Sequence, residues 1–190
     1  MSVTNLGVNG YTTADLIREE LPVATRARPD VVTCLIGVND FVQGVSVETY
    51  QERLRLIYSE LAALCPPPGL PPHAGGGVPA IPPPGLPPQV GGGVAAVVAI
   101  SIPDFSFTPQ ARYFGAPEAI VDGLRAFNRV AAAEAASAGF TFVDIFDVSR
   151  SRAGEPGWIA NDGLHPAGPQ YAAWVERIWA DAGDAWRRLV

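Results

Sequence analysis

Apolar positions along the chain fall into blocks whose period switches between strand-like and helix-like. Val31-Val32-Thr33-Cys34-Leu35-Ile36 is a continuous β-rich run, which predicts a strand buried on both faces. Tyr50, Leu54, Ile57, Leu61 and Leu64 then recur at three- and four-residue steps, so one apolar stripe on a helix is expected there. Ser46 stands where it can cap that helix, with Glu48 in its first turn. Val94 to Ile102 predicts a second buried strand. Behind Pro117, a residue suited to a first helical turn, Ile120, Val121, Leu124, Phe127 and Val130 repeat with helical spacing until Gly139 closes the helix. Phe140 to Ile145 predicts the last strand. Pro169 opens a final helix with Trp174, Val175, Ile178 and Trp179 on its inner side, as core rather than as ligand platforms. At the front, Val3 to Gly7 predicts a short strand running into a Gly-rich turn. Thr12 or Thr13 caps the helix that follows, and Pro22 stops it after Leu21.

Strands alternating with helices predict an α/β domain with a mainly parallel sheet. In such sheets, sites form at the carboxyl ends of the strands. One stretch breaks the pattern. Residues 66–93 repeat a PPPGLPP unit and a following GGGV. So much proline and glycine leaves few side chains for a core and few donors for a ladder, which predicts a flexible, partly polyproline insertion. The expected organisation is one domain over residues 1–190 interrupted at 66–93.

Composition narrows the function classes. Hydrophobic residues make up 48% of the chain, which is globular rather than disordered. The formal net charge is −6 and no basic run occurs, which argues against a nucleic-acid partner. No stretch is apolar enough to span a membrane, and no signal peptide is legible at Met1. Cys34 and Cys65 do not form a C-x-x-C pair, so no zinc or redox site is expected, and the pair reads as small buried hydrophobes.

The chemistry concentrates in three places. Of the two histidines, His73 falls in the insertion, which leaves His165 as the imidazole base. It stands in Asp162-Gly163-Leu164-His165-Pro166. An Asp three residues before a His can fold back to accept from the ring N–H and fix the tautomer; the same pair also suits a plain cap for the last helix. Gly37-Val38-Asn39-Asp40 follows the strand at 31–36, where Asn39 either offers its side-chain N–H groups to a ligand or merely makes a turn. Asn5 to Thr13 is the third place. A glycine N–H there either points at an anion or belongs to an ordinary strand-to-helix turn.

In combination these blocks resemble the SGNH hydrolases, the GDSL lipase/esterase family. The resemblance rests on Gly10-Tyr11-Thr12-Thr13, Gly37-Val38-Asn39-Asp40 and Asp162-Gly163-Leu164-His165, in that order, with Ser101-Ile102-Pro103-Asp104-Phe105 similar to a later strand end. It implies a flavodoxin-like three-layer fold, a parallel sheet with helices on both faces. It also implies a carboxylic ester hydrolase acting on small or acetyl esters, with no metal or cofactor. In that scheme the Gly10 N–H and the Asn39 side chain form the oxyanion hole, His165 is the base and then the acid, and Asp162 orients it. A flavodoxin-like nucleotide binder shares the plan, but the chain has no Walker-type or G-x-G-x-x-G loop.

The family's Gly-Asp-Ser nucleophile block does not occur in the sequence. Ser2 lies about 25 Å from the end of its expected strand, and Ser101 is the least unsuitable serine. The expectation is therefore an N-terminally truncated family member whose first, inner strand is missing. Such a chain is expected to be less stable than one with an upstream strand and helix, and the alternative function is a catalytically inactive remnant that at most binds ligand.

Overall fold

The computed structural model describes residues 2–64 and 96–187. The 66–93 insertion, with His73, and Cys65 lie outside the described residues. The elements follow in the order α1 (Thr13–Asp15), a π-helical turn (Leu16–Glu20), α2 (Leu21–Ala27), β1 (Val31–Cys34), α3 (Val38–Val42) and α4 (Val47–Ala62). After the undescribed stretch come β2 (Ala96–Ile100), a 3-10 turn (Ala111–Tyr113), α5 (Pro117–Ser137), β3 (Thr141–Val143), α6 (Phe146–Arg150), α7 (Gly168–Ala182) and α8 (Asp184–Arg187).

The three strands form a parallel sheet in the order β1-β2-β3. Val32 pairs with Val97 and Cys34 with Ala99 on one side of β2, and Ala99 pairs with Phe142 and Ile100 with Val143 on the other. Successive side chains of β2 point to opposite faces, and both faces are covered. Val97 and Ala99 join a core with Tyr50, Leu54, Ile57, Leu61, Leu124 and Phe127, so α4 and α5 pack there. Val98 and Ile100 join Val143, Ile145 and Trp174, so α7 packs on the opposite face. This is the three-layer α/β arrangement that the sequence predicts. Among the described residues no helix is long and apolar enough to cross a membrane.

The helix signals operate as read. Ser46 Oγ accepts the Thr49 N–H at 3.1 Å and caps α4. Thr12 caps α1 in a reciprocal capping box with Asp15. Pro117 opens α5, and Gly139 follows its end at φ +74°.

Four expectations need correction. Residues 3–7 do not form a strand. Among the described residues they have no ladder partner, and Val3 is exposed; extended backbone that pairs with no strand gains no sheet hydrogen bonds. β1 is four residues long and is not buried on both faces. Among the described residues it lies at the sheet edge, with Thr33 exposed and Val32 and Cys34 on the side that meets a helix layer. Pro22 does not stop the first helix, which continues to Ala27. The π turn just before it widens the helix, with Leu21 N–H bonding Leu16 O, and so relieves the clash that proline makes with the preceding turn. On α7, finally, Val175 and Trp179 face outward. The inward stripe is Gln170, Trp174, Ile178 and Ala182, at four-residue steps, and Trp179 instead leans on Trp186 at 6.1 Å.

Helix α5 approaches α3 closely through Gly123. A Cβ there would lie 2.3 Å from Phe41 Cε2, and the Phe41 ring is held edge-on between Phe105 and Phe127. Gly123→Ala is therefore expected to destabilise the fold by about 1–3 kcal/mol through overpacking, despite alanine's better helix propensity. Chemical denaturation of the variant beside the parent chain measures this.

Candidate active site

The carboxyl end of β1 leads into Gly37, and the local packing leaves no room for a side chain there. Its φ is +121°, and a Cβ would lie 2.7 Å from Tyr50 Cε2 and 2.9 Å from Ile102 Cδ1. Tyr50 itself donates to Ile36 O at 3.1 Å. The chain thus turns sharply against α4 and enters α3, bringing Asn39 and Asp40 toward the Gly10–Thr13 turn.

Those two blocks, far apart in sequence, are bonded together. Asn39 Nδ2 donates to Tyr11 O at 2.9 Å. Asp40 is fully buried; one carboxylate oxygen accepts the Thr13 N–H at 2.8 Å and the other accepts the Thr13 hydroxyl. Arg53 Nη1 lies 3.4 Å from Asp40 and supplies the countercharge. Glu20, at the end of the π turn, accepts the Val8 N–H at 3.2 Å. Burial pushes the Glu20 carboxyl above its ordinary range, and the Val8 bond partly offsets this.

A cavity of about 150 Å³ opens between these pieces. Its walls include Gly10, Tyr11, Glu20, Gly37 and Asn39. Gly10 N–H donates to no acceptor among the described residues, and Asn39 has a second Nδ2 hydrogen beyond the one given to Tyr11. Two donors therefore line one small space.

Asp162 and His165 occupy a separate loop. Trp158 is buried, with its indole N–H on Ser149 O at 2.8 Å. A single antiparallel bridge joins Ile159 to Pro166, and Ala160 N–H donates to His165 O at 2.8 Å. Gly163 turns the loop at φ +72°. Inside this frame His165 Nδ1 lies 2.6 Å from Asp162 Oδ2, while Asp162 Oδ1 accepts the Leu164 and His165 N–H groups at 2.9 and 3.0 Å. These donors, Leu164 first and then the His165 ring, lower the Asp162 carboxyl to about 2. The pairing leaves Nε2 as the outward ring nitrogen.

The structure thus brings Gly10 together with Asn39, and Asp162 together with His165. His165 and Asp162 are not among the residues that line the Gly10–Asn39 cavity. Ser101, the least unsuitable serine of the sequence, lies at the end of β2 and away from the cavity lining. It is fully buried, donates to Asp144 Oδ1 at 2.9 Å and accepts the Ile145 N–H at 2.8 Å, so it fastens β2 to the end of β3. Two residues escaped the sequence reading. Asp40 was legible only as part of a turn, because its partner is 27 residues away. Glu20 belongs to no motif in the sequence, and the π turn carries it to the cavity.

The sequence profile of the GDSL-like lipase/acylhydrolase family matches residues 1–173. No curated protein matches the chain. Among solved structures, the acetylxylan esterase Axe2 of Geobacillus stearothermophilus superposes with a TM-score of 0.67 at 17% identity, over 95% of this chain and 72% of that one. LAE5, an α/β hydrolase from the metagenome of Lake Arreo in Spain, gives 0.66 at 18% identity over the same shares. Matching structures of the Geobacillus enzyme include catalytic mutants at a serine, at an aspartate and at a histidine three residues after that aspartate.

Two outcomes follow from the geometry. Asp40→Ala leaves the Thr13 donors and Arg53 without their acceptor, and a loss of about 1–3 kcal/mol is expected, readable by denaturation together with line broadening of the Gly10 and Tyr11 amide resonances. Asp162 has a folded value below its ordinary 3.8, so its stabilisation is full at neutral pH and is lost as pH falls from 3.8 through about 2. His165→Ala should leave most of that depression in place, since the Leu164 N–H is its largest cause. Carboxyl-carbon NMR titration of both chains checks this, and a return of Asp162 to its ordinary value in the variant would contradict it.

Proposed function

The chain belongs to the GDSL-like lipase/acylhydrolase family, and on that premise we propose that it hydrolyses small carboxylic esters, acetyl esters of sugars foremost. The observation that carries the reading is the pairing of His165 Nδ1 with Asp162 at 2.6 Å, in a loop whose backbone amides hold the carboxylate ionised. That arrangement fixes the imidazole tautomer and leaves Nε2 to accept a proton from a water whose oxygen bonds to the ester carbonyl carbon, and to return it to the alcohol oxygen as the ester C–O bond breaks. In this scheme Gly10 N–H and Asn39 Nδ2 receive the carbonyl oxygen as it becomes an oxyanion, the role for which converging donors in a small cavity are suited. The aspartate-to-histidine spacing equals that of the catalytic mutants of the Geobacillus esterase, and the acetyl-xylooligosaccharide named for that enzyme motivates the choice of acetylated sugars.

A second reading is a chain that binds esters or their products without turning them over. It is favoured by the absence of Gly-Asp-Ser from the sequence and by the burial of Ser101.

Hydrolysis of p-nitrophenyl acetate separates the two. Under the first reading turnover falls about 10²–10⁴-fold in His165→Ala and about 10²–10³-fold in Asn39→Ala. A background rate that neither substitution changes, with p-nitrophenyl acetate still shifting the Gly10 amide resonance, would establish the second.

A further inference from the structure

The Asp162–His165 loop is gripped from two sides, by segments far apart in the sequence. One grip is Gln110, whose N–H donates to Gly163 O at 3.0 Å. The contact is close, since a Cβ on Gly163 would lie 3.3 Å from Gln110 Cγ and 3.5 Å from Pro109 Cβ. The other grip is the end of α6. Ser149 O accepts the Trp158 indole N–H at 2.8 Å and the Gln170 side-chain amide at 2.6 Å. Trp158 O in turn accepts the Ala167 N–H at 3.1 Å. Ser149 thus holds both roots of the loop, the chain entering it at Trp158 and the chain leaving it into α7 at Gln170.

A buried charge ties the two grips together. Asp104 stands in the segment that runs from β2 to Gln110, and its side chain is fully buried. Its Oδ1 accepts the Ser106 N–H at 2.8 Å, while its Oδ2 accepts no hydrogen bond among the described residues. Arg150, next to Ser149 at the end of α6, brings Nη1 to 3.2 Å from that Oδ2. No hydrogen bond among the described residues joins α6 to residues 104–110, so the ion pair is the polar link between them. A carboxylate taken out of water is costly unless a cation meets it. The Arg150 side chain keeps 44% of its surface exposed, and a solvated arginine samples many rotamers; Asp104 is what draws it inward.

We infer that Arg150, acting through Asp104, is a positioning residue for His165. The inference rests on the ester-hydrolase reading above in making His165 the base, whereas the tie itself belongs to the fold of the loop. The ion pair fixes how far Gln110 stands from Ser149, and so the space in which Gly163 and Trp158 are held. Asp162 adjoins Gly163, and His165 O accepts the Ala160 N–H at 2.8 Å, two residues after Trp158. A shift of either grip therefore moves the carboxylate against the imidazole. Arg150 acts on the alignment of the base and not on substrate binding, so its loss acts on kcat and spares KM.

Four variants of the full chain test this. Arg150→Met leaves Asp104 buried without its cation. Asp104→Asn removes the charge and keeps the shape, so it decides the matter if Arg150→Met does not fold. Arg150→Lys keeps a cation in place. Arg125→Met is the control, because it breaks the exposed Arg125–Asp147 pair on the same helix. Amide hydrogen exchange is followed by NMR at Gln110, Ala160 and Ala167, whose N–H groups hold the loop, and at Thr13, whose N–H is bonded to Asp40 in the other half of the site. Arg150→Met and Asp104→Asn are expected to speed exchange about tenfold at the three loop amides and to leave Thr13 unchanged. In both, the Asp162 carboxyl should rise from about 2 toward its ordinary 3.8. Turnover of p-nitrophenyl acetate should fall about tenfold in kcat with KM unchanged. Arg150→Lys and Arg125→Met should behave as the parent chain in every measurement. Loop exchange that stays at the parent rate, acceleration at Thr13 by the same factor, or an equal effect of Arg125→Met would each overturn the proposal. Faster loop exchange in a chain without turnover would sustain the tie and reject the hydrolase reading. Turnover that His165→Ala abolishes and Asp104→Asn leaves intact would do the reverse.

Discussion

Asp40 is a fully buried carboxylate, and the geometry of the cavity depends on how that charge is satisfied. An ionised group taken out of water without donors costs several kcal/mol. Here the donors come from Thr13, with Arg53 nearby, so the turn before α1 must sit against the start of α3. Once it does, Asn39 reaches Tyr11 O and the Gly10 N–H meets the same space as the Asn39 amide. The two residues suited to receive an oxyanion are thus positioned by a neighbour that need not touch a substrate.

The sheet supplies the second fixed element. β2 is buried on both faces because helices pack on each side, and its end is fastened laterally. Ser101 bridges to Asp144 and Ile145, and Asn128 of α5 both donates to and accepts from the Ile102 backbone. These bonds satisfy buried backbone groups just where the strand stops. The Asp162–His165 loop has its own support in buried Trp158 and the bridge from Ile159 to Pro166. Two independently braced loops carry the two halves of the candidate site, which explains why each half is well defined by itself.

Much of this was legible in advance for identifiable reasons. The stripe of Tyr50, Leu54, Ile57 and Leu61 has a helical period that only a one-sided helix satisfies, and α4 buries those residues. The Asp162–His165 contact is local, spanning three residues, so spacing alone suggested it. The errors arose where the outcome depends on partners distant in the chain. Val3 to Gly7 has strand-like composition but pairs with no strand among the described residues. The 31–36 run is apolar enough for a central strand, yet β1 is an edge strand. Pro22 reads as a helix stop, and the π turn before it absorbs the proline.

By itself, then, the sequence determined the α/β class and the helix faces and caps, because period, capping and short-range spacing are properties of neighbours along the chain, while Gly10, Asn39, Asp162 and His165 became candidate residues through the order of their motifs and the family resemblance it carries. The tertiary structure decided the rest. It set β1 at the edge of the described sheet, brought Glu20 to the cavity, made Asp40 the clamp on Thr13 and buried Ser101 in the core. Each of these depends on which groups the packing removes from water and which partner then meets them, and no linear pattern records that.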